Sequence, residues 1–485
     1  MGASGRIAKN TTYLTIASIL QKVISFVYYG YLASGIGTAN LGKYDTALRF
    51  SSIFIIFMDF GLGALFTREV AKDEDRLQQH FNRFFSIKIV LIAVTLAVYI
   101  VATQLSHIVF HNVDSTDVYL YYLAGCIIVL DTLTFTLFTI FRSLKQMQWE
   151  AFGILIYQSV IYVAGILFLH FHLPIVYVLL PLLFGSFIQL VYMWVLVKWK
   201  TGLTFHFQWQ WKDVKTVIFL AAPFAIAGIF FRLSGTADGL MLKIMISDSH
   251  AGWFALPYKL AFALTVLPGA FASSYFPVVS HYYKHAKDQL HLAVESGIFY
   301  MFLLSMPIVG GVLVLADEII LRGWGTVFAG SITTLRIFMI ALPFIFLNYP
   351  IGNFLNAVNR QKLNTVNMCI SLVVNIILNF ILIPYYTFNG AAIAAVISNV
   401  LLVLLGLPWV YRISGFSILR VFKKFAATFF AAGVMTVVLY FVQYTYNILL
   451  LIIIGGVLYA TVLLLTNGLT KEELYQLKKA ILKRG

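Results

Sequence analysis

Charged residues are scarce in this sequence. Asp, Glu, Lys and Arg together make up 11% of the 485 residues, whereas a soluble domain carries about 25%. So little charge cannot cover a water-facing surface, which excludes a soluble protein. The two cysteines, Cys126 and Cys369, lie in apolar runs, so a disulfide scaffold is excluded and we expect both thiols to be buried and reduced. The phosphate-binding motif Gly-x-x-x-x-Gly-Lys-Ser/Thr is missing, and nothing supports direct use of ATP by this chain.

Long apolar runs dominate what is present. Hydrophobic residues make up 61% of the chain, and its mean hydropathy is +0.89. The first run is too long, and too polar at Lys22, to be a cleaved signal peptide. A membrane-spanning helix needs about 20 mainly apolar residues. Fourteen segments qualify: 11–34, 41–66, 84–105, 117–141, 152–170, 173–197, 216–240, 252–280, 292–316, 332–355, 363–383, 388–411, 425–443 and 446–466. The sequence therefore predicts an all-α polytopic membrane protein with about fourteen transmembrane helices.

Basic residues are distributed unevenly between the two sides of the predicted spans. Connections on the side of the N-terminus hold 25 Lys and Arg residues, and those on the other side hold three, Lys43, Lys243 and Arg322. Because Lys and Arg collect in cytoplasmic loops, we expect the protein in the cytoplasmic membrane with both termini in the cytoplasm. The scatter of basic residues also argues against a nucleic-acid partner, despite a net charge of +15.

A shift of 210 residues aligns the first two spans with the seventh and eighth. Lys22 then aligns with Arg232, and Arg49 aligns with Lys259. Since many transporters consist of repeated halves with the substrate site between them, we expect two parallel six-helix bundles around a central cavity, plus a C-terminal helix pair. The predicted organisation is an N-lobe at 1–200, an interlobe cytoplasmic linker at 201–215, a C-lobe at 216–412, and two further helices with a basic cytoplasmic tail at 413–485.

Four cations deep inside the predicted spans indicate an anionic substrate. A cation at the centre of a membrane helix costs about 2.5–3.5 kcal/mol and persists where it faces a cavity, a ligand or an acidic partner. The polar and small residues that share their helix faces favour a cavity. A pyrophosphate suits such a site, because Arg offers forked hydrogen bonds and Lys a point charge. The four residues are Lys22, Arg49, Arg232 and Lys259. Lys88 and Arg336 lie near span ends, and we expect their long side chains to reach the membrane interface.

Acidic residues within the spans are candidates for coupling to H⁺ or Na⁺, since an intramembrane acid is by default functional. They are Asp59, Asp131, Asp238 and Glu295. We expect no metal site and no other cofactor. His107 and His111 have a spacing that suits a metal, but no third ligand is evident, and a solvated loop is the better interpretation.

Six short segments resemble bacterial polysaccharide flippases of the Wzx type, which belong to the multidrug/oligosaccharidyl-lipid/polysaccharide exporter superfamily. The segments are Ala-Lys-Asn-Thr at 8–11, Leu-Gly-Lys-Tyr at 41–44, Asp-Phe-Gly-Leu at 59–62, Thr-Arg-Glu-Val-Ala-Lys at 67–72, Ala-Asp-Gly-Leu-Met-Leu at 237–242 and Gly-Trp-Phe at 252–254. With fourteen spans, the resemblance extends over essentially the whole chain.

This resemblance implies a flippase rather than an enzyme, with an undecaprenyl-pyrophosphate-linked oligosaccharide as its substrate and alternating access as its mechanism. It implies that the pyrophosphate contacts the same four cations, Lys22, Arg49, Arg232 and Lys259. Expected partners are membrane lipids and, in the pathway, a polysaccharide polymerase and glycosyltransferases. A lipid II flippase of the same superfamily is the alternative, because that sister family also uses cavity cations.

Two further function classes are less well supported. A membrane polymerase or ligase of polysaccharide assembly would expose a sizeable outer loop with catalytic Arg or His, whereas the outer connections here are short. A drug or cation antiporter would have an acidic cavity and normally twelve spans. The four buried cations and the additional C-terminal helix pair argue against it.

Overall fold

The computed structural model describes residues 3–70, 72–466 and 468–469, with backbone alone for residues 3–16, 19, 74, 212, 213, 223, 224, 226, 227 and 231. This described part of the chain is built from fourteen α-helices. They are α1 Ala3–Asp59, α2 Leu62–Val70, α3 Leu77–Val109, α4 Ser115–Ser143, α5 Gln148–His170, α6 Leu180–Thr201, α7 Trp211–Met245, α8 Asp248–Ala263, α9 Val266–His285, α10 Leu290–Trp324, α11 Ser331–Ala357, α12 Gln361–Ser414, α13 Ile418–Val442 and α14 Ile448–Leu465.

Eleven helical segments in the described residues are long and apolar enough to cross a membrane. Two of them, Leu20–Val70 with 51 residues and Gln361–Ser414 with 54 residues, would extend ~75 and ~80 Å if straight. A hydrocarbon core about 30 Å thick leaves room for two crossings in each. The predicted all-α, multi-pass membrane fold is confirmed, and the number of fourteen crossings stays a prediction.

Each of these long helices is broken where the sequence predicts a connection. Gly37 has φ +74° and interrupts α1 between the predicted spans 11–34 and 41–66. Thr387 has φ +51° and interrupts α12 after 363–383. A third break separates α1 from α2 at Phe60 and Gly61, both with positive φ. The Asp-Phe-Gly-Leu segment at 59–62 therefore ends one helix and begins the next.

Contacts divide the chain into two compact units, residues 1–256 and 257–485. In unit 1, α1 packs against α4, α5 and α7, and a core of buried side chains joins α2, α3, α4 and α6 to the start of α7. In unit 2, α11 packs against α10 and α12, and a second core joins α10, α13 and α14. Helix α7 belongs to the predicted C-lobe in sequence, yet it packs in unit 1. The predicted lobe boundaries stay a prediction, because membership in a repeat and compact packing are different properties.

The segment between α6 and α7 is extended and lies along α3. The backbone N–H groups of Thr204, His206 and Gln208 donate to side chains spaced four residues apart on α3, at distances of 3.2, 3.1 and 2.9 Å. Two extended residues and four helical residues both advance about 6–7 Å, so the two spacings match. The acceptors are Gln78, Asn82 and Ser86. The alternating aromatic residues of this linker thus belong to an extended segment in which Phe205 packs on the core and Phe207 is exposed.

Candidate functional site

Arg49 is buried in the second part of α1 and contacts groups on α1, α7 and α8. Its Nε donates to Asp45, one turn earlier on the same helix. Its Nη1 donates to the carbonyl oxygen of Gly235 on α7 at 2.8 Å, and its guanidinium carbon lies 5.9 Å from the centroid of the Phe254 ring. The predicted head-group cation is therefore engaged by protein groups in this conformation.

Two glycines on α7 lie beside this arginine. At Gly235 the backbone carbonyl accepts the hydrogen bond, and a Cβ at Gly239 would overlap the Arg49 side chain. Gly239 therefore accommodates Arg49 from the neighbouring helix α1. Arg232 is half-buried and begins one turn before Gly235, so α1 and α7 place two of the four cations in the same region of unit 1.

The other two predicted cations have different settings. Lys22 on α1 is exposed and forms no ion pair within the described residues of unit 1. Lys259 is half-buried and belongs to unit 2. The structure thus brings Arg49 to the helix that carries Arg232, and the head-group role of the set stays a prediction.

Two of the four acidic candidates, Asp59 and Glu295, lie beside cations. The Asp59 carboxylate binds the ammonium of Lys88. Glu295 accepts a hydrogen bond of 2.8 Å from the backbone N–H of Ser417 and lies 3.7 Å from Arg420, so it anchors the start of α13. These contacts are structural in character. The predicted role of either acid in ion coupling is not tested by them.

The other two acidic candidates, Asp131 and Asp238, lie on helices α4 and α7. Asp238 is buried on α7. The Asp131 carboxylate on α4 accepts a hydrogen bond of 2.6 Å from the hydroxyl of Ser186 on α6, a fully buried residue. Because its partner is neutral, Asp131 can bind a cation without breaking an ion pair.

Lys88 and Arg336, which were predicted to reach the membrane interface, both form ion pairs. Lys88 is 1% exposed, and the buried Asp59 pair replaces the expected path to the membrane surface. Arg336 donates to Asp317 at 2.7 Å and to the backbone oxygen of Leu313 at 3.2 Å. The expectation for Lys88 was wrong, because an acidic partner on another helix holds its ammonium inside the protein, which sequence spacing does not show. Arg336 keeps 40% of its side chain exposed, and its path to the interface stays a prediction.

Sequence reasoning missed a cluster of five charged residues that joins four helices of unit 1. Lys43 lies 2.6 Å from Asp114, 3.3 Å from Asp117 and 3.2 Å from Asp248, and Lys243 lies 2.7 Å from Asp117 and also binds Asp248. We call these residues the five-residue ion cluster. Two of its members, Lys43 and Lys243, belong to the basic residues assigned to the outer side, and this rarity was the available signal.

Within the ion cluster, Asp114 and Asp117 also begin helix α4. Each carboxylate accepts the backbone N–H of the other residue at 2.9 Å, which forms a capping box. Burial raises the pKa of Asp114, but the hydrogen bonds from Lys43 and from the Asp117 backbone outweigh it and hold that pKa below its usual value.

Backbone groups meet directly beside the ion cluster. A Cβ at Gly42 would overlap the carbonyl oxygen of Asp248, and a Cβ at Gly252 would overlap that of Thr38. Only glycine permits this approach of α1 and α8. The two glycines are 210 residues apart, which is the spacing that also relates the paired cations.

Two smaller predictions can be compared with the structure. In the described residues no group of three His, Cys, Asp or Glu side chains has an arrangement that could hold a metal ion, and His107 contacts the backbone oxygen of Val113 at 2.8 Å. Both cysteines are free, as expected, but neither is fully buried, since Cys126 is exposed and Cys369 is partly exposed. On a membrane helix an apolar residue can face lipid, so an apolar run does not imply burial within the protein.

Comparison with known proteins identifies the family. Residues 7–283, more than half of the chain, match the model of a family described as polysaccharide biosynthesis protein. The chain is 24% identical over 398 residues to the probable low-salt glycan biosynthesis flippase Agl15 of Haloferax volcanii, covering 81% of each protein. It is 25% identical over 259 residues to the probable flippase AglR of the same organism, covering 50% of this chain and 52% of AglR.

Solved structures of two transporter families share the fold. The lipid II flippase MurJ, in an inward closed conformation, superposes with a TM-score of 0.76 at 16% identity, covering 93% of this chain and 97% of MurJ. An inward-facing multidrug resistance transporter of the MATE family superposes with a TM-score of 0.68 at 14% identity, covering 84% and 98%. The chain belongs to the polysaccharide biosynthesis protein family, with the fold of the multidrug/oligosaccharidyl-lipid/polysaccharide exporter superfamily.

Proposed function

We propose that the protein is a flippase that moves a pyrophosphate-linked oligosaccharide lipid from the inner to the outer leaflet of the cytoplasmic membrane. The observation that supports this most directly is the buried Arg49, which reaches across to α7 close to Arg232. Undecaprenol is the proposed carrier, and surface polysaccharide is the proposed product. The relative named as a probable low-salt glycan biosynthesis flippase supports this class of substrate.

The chemistry of a pyrophosphate explains why arginines are suited to this task. A guanidinium binds phosphate oxygens through two parallel, charge-assisted hydrogen bonds. Inside a membrane protein such bonds also neutralise charges that the hydrocarbon cannot solvate. In this proposal the cations carry the head group while the prenyl tail stays in the lipid, and the transporter exposes the site to one side at a time.

Transport coupled to an ion is a further part of the proposal. Asp131 suits this role better than Asp59 or Glu295, because its carboxylate contacts the neutral hydroxyl of Ser186, whereas Asp59 and Glu295 lie beside cations. A group that can bind H⁺ or Na⁺ without disturbing an ion pair changes charge at the lowest structural cost.

Replacing Arg49 or Arg232 tests the proposed function. We expect Arg49→Ala and Arg232→Ala to abolish surface glycan in a complementation assay. Protein abundance in the membrane is measured in parallel, because Arg49→Ala removes the ion-pair partner of Asp45, and loss of glycan at normal abundance supports the head-group role. The matched control is Arg76→Ala, because that arginine is 68% exposed and pairs only with Asp73 in the preceding turn among its described ion pairs. Full glycan assembly in both single variants would contradict the head-group role.

A lipid II flippase is the second candidate, supported by the superposition on MurJ. The substrates of the two candidate flippases share a prenyl pyrophosphate and differ in the attached saccharide or peptide. Rescue of cells depleted of their lipid II flippase would favour this candidate, and rescue of a surface-glycan flippase mutant alone would favour the first.

A further inference from the structure

The guanidinium of Arg49 donates hydrogen bonds to an uncharged group and to a charged group. Nη1 donates to the Gly235 carbonyl of α7, a backbone group whose position is set by the helix. Nε donates to Asp45, a carboxylate on a side chain that can rotate away. Asp45 therefore supplies a full negative charge to the cation that the proposed function assigns to the head group.

Both members of this pair are largely withdrawn from solvent. The side chain of Arg49 is 8% exposed and that of Asp45 is 15% exposed. Removing one member of a buried ion pair leaves the other charge without compensation, which is strongly unfavourable. A transporter that changed conformation with an uncompensated Arg49 would meet a barrier of this origin in every cycle.

A pyrophosphate and the Asp45 carboxylate compete for the same donor. Both form charge-assisted hydrogen bonds to guanidinium N–H groups. A phosphate oxygen that takes the place of Asp45 at Nε leaves the bond between Nη1 and Gly235 intact. One partner of Arg49 can thus be exchanged while the other keeps the side chain in position.

We propose that Asp45 is the counter-ion of the empty transporter and takes the place of the pyrophosphate at Arg49 after the substrate leaves. This inference rests on the proposed function of Arg49. In the loaded state the head group neutralises Arg49, and in the empty state Asp45 does so and permits the return step. Asp45 is a positioning residue that acts through Arg49, and it differs from Asp59, Asp131, Asp238 and Glu295, the acids considered for ion coupling.

The test separates the loaded step from the empty return step. Purified Asp45→Asn protein in proteoliposomes receives a fluorescent geranylgeranyl pyrophosphate as probe. We expect the probe to bind about tenfold more tightly, because its competitor is gone, a coupling within the usual 5–150-fold range. We expect net transfer between leaflets to fall at least about tenfold, whereas exchange of labelled against unlabelled probe persists, because exchange requires only the loaded form.

Three further variants make the result specific. Asp45→Glu keeps the charge and should restore part of the net transfer. Glu318→Gln is the matched control, since Glu318 forms an i,i+4 pair of 2.9 Å with Arg322, whose side chain is 63% exposed. If Asp45→Asn does not fold, the double variant Asp45→Asn/Arg49→Gln removes both charges, and in that protein tighter probe binding is not expected.

The outcomes distinguish this inference from the proposed function. Equal loss of net transfer and exchange in Asp45→Asn, or no change in either, would overturn the counter-ion role alone. Wild-type protein that neither binds nor moves prenyl pyrophosphate would overturn the proposed function, and the inference with it.

Discussion

At the scale of single residues, the Lys88–Asp59 pair shows how the fold accommodates a buried charge. Lys88 is 1% exposed, and Asp59 is held where α1 ends. We expect Lys88→Met to destabilise the protein by about 3–5 kcal/mol, because the Asp59 charge is left unpaired. The double variant Lys88→Met/Asp59→Asn should recover much of this loss. Thermal unfolding in detergent, followed by tryptophan fluorescence, measures both.

The control for this prediction is Arg322→Met, which removes an exposed pair and should change stability by about 0–1 kcal/mol. The double variant also addresses the coupling role predicted for Asp59. If it is stable and still transports, Asp59 serves the fold. If Lys88→Met proves as stable as the wild type, the buried pair does not stabilise unit 1.

The sequence identifies unusual residues more readily than their partners. Cations at positions 22, 49, 232 and 259 stand out because charges are costly in a membrane. The partner of Lys88 lies 29 residues away in sequence, and no local pattern indicates it. Asp45 could have been recognised, since it precedes Arg49 by four residues and i,i+4 side chains meet on a helix.

At the scale of helices, the close approach of α1 and α8 depends on glycine. We expect Gly252→Ala to separate the two helices, because its Cβ would overlap a backbone oxygen of Thr38 that cannot rotate away. Overpacking of this kind costs about 1–3 kcal/mol. Amide hydrogen exchange in residues 246–256 and in residues 113–118, which include Asp114 and Asp117 of the five-residue ion cluster, should therefore accelerate about tenfold or more. Mass spectrometry of the exchanged peptides provides the measurement.

A suitable comparison is Gly311→Ala, a helical glycine of α10 with no atom within 4 Å of the added Cβ. Its exchange should match the wild type. Unchanged exchange around Gly252 in the Gly252→Ala protein would show that the two helices are not held together at this point.

Helix boundaries were predicted better than helix contacts. Apolar runs and their interruptions locate the breaks at Gly37 and Thr387, because a membrane helix has a required length and a connection needs backbone freedom. The docking of the linker on α3 could not be predicted, since it depends on matched spacings of groups more than 120 residues apart. The spacing within either segment predicts no hydrogen bond unless the fold is already known to place the two segments side by side.

At the scale of the whole molecule, internal repetition and compact packing give different divisions of the chain. The 210-residue offset assigns α7 to a second half, whereas contacts place α7 with α1 in residues 1–256. The connection between α7 and α8 is attached to α1 and α4 by the five-residue ion cluster, and to α1 also by the close backbone contacts at Gly42 and Gly252. We therefore expect this connection to separate from α1 and α4 when the transporter opens on the predicted outer side.

The orientation in the membrane can be tested with cysteine labelling. The asymmetry of 25 against three basic residues predicts that residue 111 faces outside and residue 200 faces the cytoplasm. Cys126→Ser/Cys369→Ser is the required background, because Cys126 is exposed. His111 is chosen as the outer labelling position because it is exposed and is not a member of the ion cluster, whereas the neighbouring Asn112 bonds to the backbone of Ile244. An impermeant maleimide should label His111→Cys in intact spheroplasts and Lys200→Cys only after lysis. The reverse pattern would place the ion cluster at the cytoplasmic end and invert the direction assigned to every step of transport.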